Sequence, residues 1–260
     1  EFLGRVIATR SAASIIAFSF VWVLFQQFDL SYIWLYALGG GVAVVIVLFC
    51  WQIFPMFPEK VSQTKKIILR RRYWLYYALQ FMSGARRQIF VVFAGFLMVE
   101  KFEFTVAEIS LLLLANAVIN VVFAPKIGRL IKRFGERKSL IFEYLGLAFI
   151  FIGYAFVESG YFAVFLYIAD HLFFSIAIAL KTYFQKIADP ADIASSAGVS
   201  FTINHIAAVF IPVVFGLVWL YSPSLVFLAG AGMAFISLLL AFNMPSEPSS
   251  GNEVLLGKFS

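Results

Sequence analysis

The chain has 260 residues, of which 62% are hydrophobic and 13% are charged. Soluble domains are typically ~45–50% apolar and ~25% charged, so this composition excludes an ordinary water-soluble fold. The net charge of +6 does not indicate nucleic-acid binding, because no stacking aromatic platform is interleaved with the basic runs. The basic residues are instead expected beside anionic lipid headgroups. With Cys50 as the single cysteine, an intrachain disulfide is excluded.

Eight long apolar runs follow one another along the chain. Each is close to or above the ~20 residues that an α-helix needs to cross a bilayer. The runs cover residues 7–27, 31–54, 73–98, 105–126, 139–157, 161–182, 198–220 and 223–243. We therefore predict an all-α fold, a polytopic membrane helix bundle with eight transmembrane helices.

The Lys and Arg residues fall almost wholly on alternate connections between these runs. One side of the membrane receives the cations near Arg5, Arg70, Arg133 and Lys181, whereas Lys101 is the single cation on the other side. Because cytoplasmic connections carry the excess of Lys and Arg, both ends of the chain are predicted to be cytoplasmic. The predicted location is the cell membrane, of the inner-membrane type.

The longest connection, residues 55–72, contains two prolines and six cations and is predicted to be a cytoplasmic linker. It separates two helices in residues 1–54 from a six-helix unit in residues 73–243. A polar tail, residues 244–260, is expected to be cytoplasmic and loosely ordered. Since the chain opens with Glu1 inside a basic connection, we expect further helices of the same protein upstream.

The connection between the fourth and fifth runs has a spaced pattern of glycines and cations from Gly128 to Lys138. It resembles the loop of the major facilitator superfamily, which has Gly, three residues, Asp-Arg, one residue, Gly and then a basic run. Lys132 stands at the Asp position and Glu136 at one basic position. The positions that match the pattern are Gly128, Arg133, Gly135, Arg137 and Lys138.

This resemblance implies that the chain supplies helices five to twelve of a twelve-helix transporter. Residues 1–54 would then be the last two helices of an N-terminal half, and residues 73–243 the C-terminal half. Many secondary transporters are built from two such halves with the substrate site between them. In the family the acidic loop residue pairs charges between neighbouring helices, a role that Lys132 cannot take.

Arg86 and Arg87 lie near the midpoint of the third run. A charge at the bilayer centre costs at least ~2.5–3.5 kcal/mol, so it faces the bundle interior and marks a functional path. Tyr76, Gln80, Ser83 and Arg87 follow one another on one helix face. A guanidinium suits a carboxylate or phosphate, which favours an anionic solute contact or a charge latch between helices. Alternatively, one Arg pairs with an acidic side chain of the bundle while the other snorkels.

Asp170 and His171 lie near the midpoint of the sixth run. A carboxylate and an imidazole in a low-dielectric environment suit proton coupling. The alternative is that Asp170 neutralises Arg86 or Arg87 from a neighbouring helix. Both roles can coexist, because an ion pair that breaks on protonation acts as a switch.

Further polar candidates lie in the fourth, fifth and seventh runs. Asn204 and His205 of the seventh run are candidate solute or coupling residues, although a lone membrane His is more often a packing residue. Glu143 in the fifth run is a candidate latch that would pair with Arg133 or Arg137. The remaining set, expected to hydrogen-bond between helices, is Asn116 and Asn120.

These observations favour a secondary active transporter that moves a small solute, coupled to a proton or another gradient. The two arginines favour an anionic solute such as an organic acid. The alternatives are a channel, which usually shows a repeated pore-lining element, and a structural helix bundle. A membrane-embedded enzyme is less favoured, because the sequence has no nucleophile–base set, metal cluster or nucleotide loop. We therefore expect no catalytic residue, cofactor or metal.

Overall fold

The computed structural model describes residues 2–28, 32–55 and 69–257. Seven helical segments of this part are long and apolar enough to cross a membrane, and a shorter apolar stretch, Ala12–Leu24, lies within the first helix. The prediction of an all-α membrane helix bundle is confirmed. The ten α-helices of the described ranges are α1 (Phe2–Phe28), α2 (Tyr32–Ile53), α3 (Trp74–Gln88), α4 (Gly95–Phe102), α5 (Val106–Phe134), α6 (Glu136–Ala155), α7 (Gly160–Phe174), α8 (Ile178–Ile187), α9 (Ile193–Trp219) and α10 (Pro223–Phe242).

Two of the crossings are each made of two helices in line. A π-helical segment, Ile89–Ala94, connects α3 to α4, and a 3₁₀ turn, Ser175–Ala177, connects α7 to α8. Such local changes in hydrogen-bond register within a helix are frequent at functional sites. Both changes come within five residues after a pair of ionisable side chains, Arg86-Arg87 in one crossing and Asp170-His171 in the other.

Close helix packing in the six-helix unit depends on glycines that face aromatic rings. A Cβ atom on Gly146 would lie 2.1 Å from Cε1 of Phe173, which brings α6 against α7. A Cβ atom on Gly230 would lie 2.9 Å from Cδ1 of Phe151, which brings α10 against α6. Small residues allow membrane helices to approach each other in this way. As a result, α6 packs against both α7 and α10.

The first two helices differ in their packing. The α1 helix packs along α5 of the six-helix unit. The α2 helix is exposed along almost its whole length among the described residues. Most of the predicted linker, residues 56–68, lies outside the described residues.

The C-terminal tail packs against the ends of the helices. Val254 is 2% exposed, and the Tyr183 hydroxyl donates to the Glu253 carbonyl at 2.5 Å. The indole nitrogen of Trp74 donates to the Gly257 carbonyl at 3.1 Å. The expectation of a loosely ordered tail is therefore wrong for residues 244–257, because apolar side chains of the tail fill space beside α3, α8 and α10.

Candidate functional site

The buried charged side chains of the six-helix unit include one each on α3, α6 and α7. Arg86 of α3 and Asp170 of α7 are each 1% exposed, and Glu143 of α6 is 0% exposed. The Arg86 Nε donates to the Met82 carbonyl of its own helix at 3.2 Å. Its guanidinium lies over the Tyr144 ring, 4.5 Å from the ring centroid. The two terminal nitrogens of Arg86 have no hydrogen-bond partner among the described residues.

Glu143 is also without a hydrogen-bond partner. Neither of its carboxylate oxygens accepts a hydrogen bond from a described residue. Its electrostatic interactions come from Arg86 and Asp170, although no ion pair within 4.0 Å joins these residues in the described part. We name Arg86, Glu143 and Asp170 the buried charge cluster.

The expected pairing of Glu143 with Arg133 or Arg137 is absent from the described structure. Arg137 donates instead to the Phe242 carbonyl at the end of α10, at 3.0 Å. Glu143 lies seven residues after Glu136, which is about two helical turns further into the bundle. At that depth its electrostatic partners are Arg86 of α3 and Asp170 of α7.

Arg87 differs from its neighbour Arg86 in being exposed. Its guanidinium lies 4.9 Å from the centroid of the Phe174 ring. It interacts electrostatically with Asp170 and with Arg10 of α1. The two adjacent arginines therefore have separate surroundings, one in the buried charge cluster and the other exposed and within electrostatic range of Arg10.

His171 takes part in contacts between α5 and α7. Its Nδ1 lies 3.2 Å from the Asn116 amide nitrogen, and its imidazole packs edge-on against Phe90. One turn further along, the Ser175 hydroxyl donates to Asn120 at 2.8 Å. The asparagines thus form the interhelical hydrogen bonds expected of them, and the polar contacts of His171 are with Asn116 and the Tyr167 carbonyl.

The polar stripe on α3 is only partly open. The Ser200 hydroxyl of α9 donates to the Tyr76 hydroxyl at 2.8 Å, so this end of the stripe is buried between α3 and α9. Gln80 and Asn204 are half-buried. A Cβ atom on Gly84 would lie 2.5 Å from Asn204 Oδ1. Gln80, Gly84 and Arg87 share one face of α3. Since Asn204 meets this face at Gly84, its amide lies on the side of α3 that carries Gln80 and Arg87.

His205 lies apart from these groups. It is exposed, its Nδ1 lies 2.9 Å from the Phe201 carbonyl, and its imidazole packs on the Phe201 ring. These contacts are all within α9. The described structure therefore does not bring His205 to Arg87 or to the buried charge cluster.

The loop between α5 and α6 forms a charge pair that the sequence pattern did not predict. Gly135, with φ at +81°, ends α5 in a conformation that residues with a side chain rarely adopt. Glu136 follows it, is 4% exposed, and lies 2.7 Å from the Lys186 ammonium of α8. An acidic residue thus pairs charges between neighbouring helices, from a position where the resemblance implies a cation.

The other cations of this loop remain at the surface. Arg133 and Lys138 are exposed, and the Arg133 guanidinium lies 5.5 Å from the centroid of the adjacent Phe134 ring. Gly128 is half-buried, with open space where a Cβ atom would lie.

A second ion network, also missed from the sequence, joins the starts of α3 and α9. Asp192 is 1% exposed and accepts hydrogen bonds from Arg70, through Nε and through Nη2 at 2.8 Å. Its carboxylate raises the pKa of the Arg70 guanidinium. Arg72 pairs with Asp189 at 2.6 Å. The signal for this network was the pair of aspartates on the predicted cationic side of the membrane.

The family comparison agrees with the resemblance of the loop. The sequence profile of the Major Facilitator Superfamily matches residues 1–212 and, in a second match, residues 76–258. The second match begins two residues into α3, at the start of the six-helix unit. No curated protein matches the chain. Within the described residues, no group of three or more His, Cys, Asp or Glu side chains is placed to hold a metal ion.

Proposed function

The chain belongs to the Major Facilitator Superfamily, and we propose that it moves an anionic solute by alternating access, driven by a proton gradient. Membership makes it a multi-pass membrane transporter of small solutes and not an enzyme. In transporters built of two helical halves, the solute binds near the bilayer midplane between the halves, which rock around it. In this proposal the six-helix unit is one such half, and α1 and α2 belong to the other.

Arg87 is the residue that contacts the solute. The observation that carries this assignment is its exposure close to the midpoint of a membrane crossing, directly beside the buried Arg86. A guanidinium keeps its charge in a membrane, and its planar fork matches a carboxylate or phosphate. Arg10 of α1 adds a second cation within electrostatic range. The solute class is therefore an organic acid or another small anion.

Neighbouring amides complete the proposed solute contacts. Gln80 lies on the same face of α3 as Arg87, and Asn204 reaches that face from α9 beside Gly84. An amide group donates and accepts hydrogen bonds, so it suits the hydroxyl or carbonyl groups of an organic acid. His205 remains outside this set because it faces away on α9.

Coupling to the proton gradient takes place in the region of Asp170, next to Arg87. Asp170 interacts electrostatically with both Arg86 and Arg87, so a change at either arginine alters the stability of its ionised form. His171 supports this region by its contact with Asn116. Both ends of the chain lie in the cytoplasm, on the side of residues 55–72 and of the tail from residue 244 onward.

The test is solute uptake into proteoliposomes by the full-length protein. A panel of radiolabelled mono- and dicarboxylates is compared with a neutral sugar, with and without a pH gradient. We expect saturable, gradient-dependent uptake of one anion class. Arg87→Ala is expected to reduce uptake about tenfold or more, because a hydrogen bond to a charged group contributes ~1.5–3 kcal/mol.

His205→Ala is the matched control for this variant, since His205 is also exposed at a membrane-embedded position but faces away from Arg87. It is expected to keep uptake within about twofold of the unmodified protein, since exposed substitutions usually change free energies by less than ~0.5 kcal/mol. Unsaturable flux that ignores the gradient would favour a channel. Unchanged uptake in Arg87→Ala would show that the solute binds elsewhere.

A further inference from the structure

We propose that Glu143, with Arg86 and Asp170, forms the site that binds the proton coupled to solute movement. This inference rests on the proposed transport function. Sequence reasoning assigned coupling to Asp170 and His171, and gave Glu143 only a latch role. The structure places Glu143 in the buried charge cluster and His171 against α5.

The first step is a comparison of two carboxylates on the same helix. Glu136 and Glu143 of α6 are both buried, at 4% and 0% exposed. Glu136 lies 2.7 Å from the Lys186 ammonium, whereas both oxygens of Glu143 are without a hydrogen-bond partner in the described part. A buried carboxylate without partners becomes neutral far more easily than it stays ionised. A proton is therefore the partner that Glu143 lacks.

The surroundings of Glu143 contain few groups that respond to pH. Helix α3 contributes Arg86 and helix α7 contributes Asp170, and these are its electrostatic partners. Helix α10 packs along α6 and has no ionisable residue in Pro223–Phe242. On α8, Lys186 is bound to Glu136. On α6 itself, the Tyr144 ring lies under the Arg86 guanidinium.

Charge balance links the proton to the solute. When all four groups are ionised, Arg86 and Arg87 balance Glu143 and Asp170. An anion that binds Arg87 neutralises the positive charge of this arginine, which otherwise acts on Asp170. Arg86 is then the one cation facing two buried carboxylates, and one negative charge is in excess. Transfer of one proton to the Glu143 carboxylate forms a neutral carboxylic acid and restores the balance.

The consequence is that anion and proton bind together and leave together, which is symport. On the opposite side of the membrane the anion leaves, and the positive charge of Arg87 again acts on Asp170. The carboxylic acid of Glu143 then loses its proton to water, and the carboxylate is regenerated. Each cycle forms and breaks a single O–H bond at Glu143, with no other change in covalent structure.

The experiment uses infrared spectroscopy of the purified full-length protein in lipid nanodiscs. The proton itself is the probe, and the signal is the C=O stretch of a protonated carboxyl group as the pH is varied. We expect a band that grows as the pH is lowered and is lost in Glu143→Gln. Glu136→Gln is the matched control and is expected to keep the band. Glu143→Asp retains a carboxyl group, so a shifted band in this variant shows that the site tolerates substitution.

A second variant tests the link to the solute site. Arg87→Gln removes the cation that acts on Asp170, so the amplitude of the band at a given pH is expected to rise. If Glu143→Gln leaves the band unchanged, or Asp170→Asn abolishes it instead, the assignment to Glu143 is wrong. The titration is repeated with Na⁺ in place of choline as the cation of the buffer. Loss of the band in Na⁺ would identify a sodium site and overturn the proposal.

This readout separates the two proposals, because it needs no transported solute. A titrating Glu143 band in a protein that moves no anion would disprove the proposed solute path and support the proton site. Proton-driven uptake by a protein that lacks the band would remove the proton site and leave the solute path.

Discussion

Arg86 and Arg87 show how strongly helix geometry separates neighbouring residues. Successive side chains of an α-helix point about 100° apart, so one arginine enters the bundle and the next reaches an open surface. Arg86 has no hydrogen-bonding acceptor for its terminal nitrogens in the described part. Its charge nevertheless acts electrostatically on Glu143.

Removal of the Arg86 charge is expected to destabilise the protein. Arg86→Met keeps a long side chain but leaves Glu143 and Asp170 without their buried cation. Loss of one partner of a buried charge pair costs ~3–5 kcal/mol, and the midpoint of thermal unfolding, followed by circular dichroism in detergent, should fall accordingly. Because Arg87 is exposed, Arg87→Met should lower this midpoint much less.

A double variant identifies the cause of this loss. Adding Glu143→Gln to Arg86→Met removes an uncompensated carboxylate, so part of the lost stability should return. If Arg86→Met unfolds at the same temperature as Arg87→Met, the cation is not needed inside the bundle. The charge interactions of the cluster would then be too weak to support the proposed proton site.

At the scale of helices, seven of the eight apolar runs correspond to helical segments long and apolar enough to cross a membrane. The runs at residues 31–54 and 223–243 coincide closely with α2 and α10. The run at 105–126 underestimates α5, which continues through Lys132 and Arg133 to Phe134. Hydropathy records where lipid surrounds the chain, whereas the helix continues into the polar region until Gly135 ends it.

Changes of helical register and partners across the bundle could not be predicted. The π-helical and 3₁₀ segments depend on tertiary packing, to which a single sequence gives no access. Midplane charges on α3 and α7 were visible as exceptions in apolar runs. The partner of Glu143 was misassigned because sequence distance favoured Arg137, while its electrostatic partner, Arg86, lies 57 positions earlier in the chain.

The contact between α3 and α9 supplies a prediction at the same scale. Gly84→Ala would place a Cβ atom 2.5 Å from Asn204 Oδ1, and overpacking of this kind typically costs ~1–3 kcal/mol. Gly95→Ala is the matched control, because Gly95 lies in the same crossing with open space around its Cα atom. Thermal unfolding should show a loss for the first variant alone.

The role of Asn204 in this loss is tested by shortening its side chain. Asn204→Ala removes the atom that the new Cβ would meet, so Gly84→Ala should be tolerated in its presence. Equal unfolding temperatures for Gly84→Ala and Gly95→Ala would mean that α3 and α9 are less closely packed than described.

At the scale of the whole molecule, polar contacts gather where the loops of the predicted cytoplasmic side meet. Glu136 binds Lys186, Asp192 binds Arg70, and Arg137 donates to the end of α10. The tail adds a hydrogen bond between Tyr183 and the Glu253 carbonyl. These contacts connect the ends of α3, α6, α8, α9 and α10, so they hold this side of the six-helix unit together.

We predict that the Glu136–Lys186 pair restrains the ends of α6 and α8. Lys186→Glu would set two carboxylates against each other, one of them buried, and is expected to separate the helix ends. The separation can be measured in a Cys50→Ser background as faster maleimide labelling of Ser139→Cys, since Ser139 is 3% exposed beside Glu136. The exchanged pair, Glu136→Lys with Lys186→Glu, restores opposite charges and should slow the labelling again. Equal labelling rates in all three proteins would show that this pair does not hold the helix ends together.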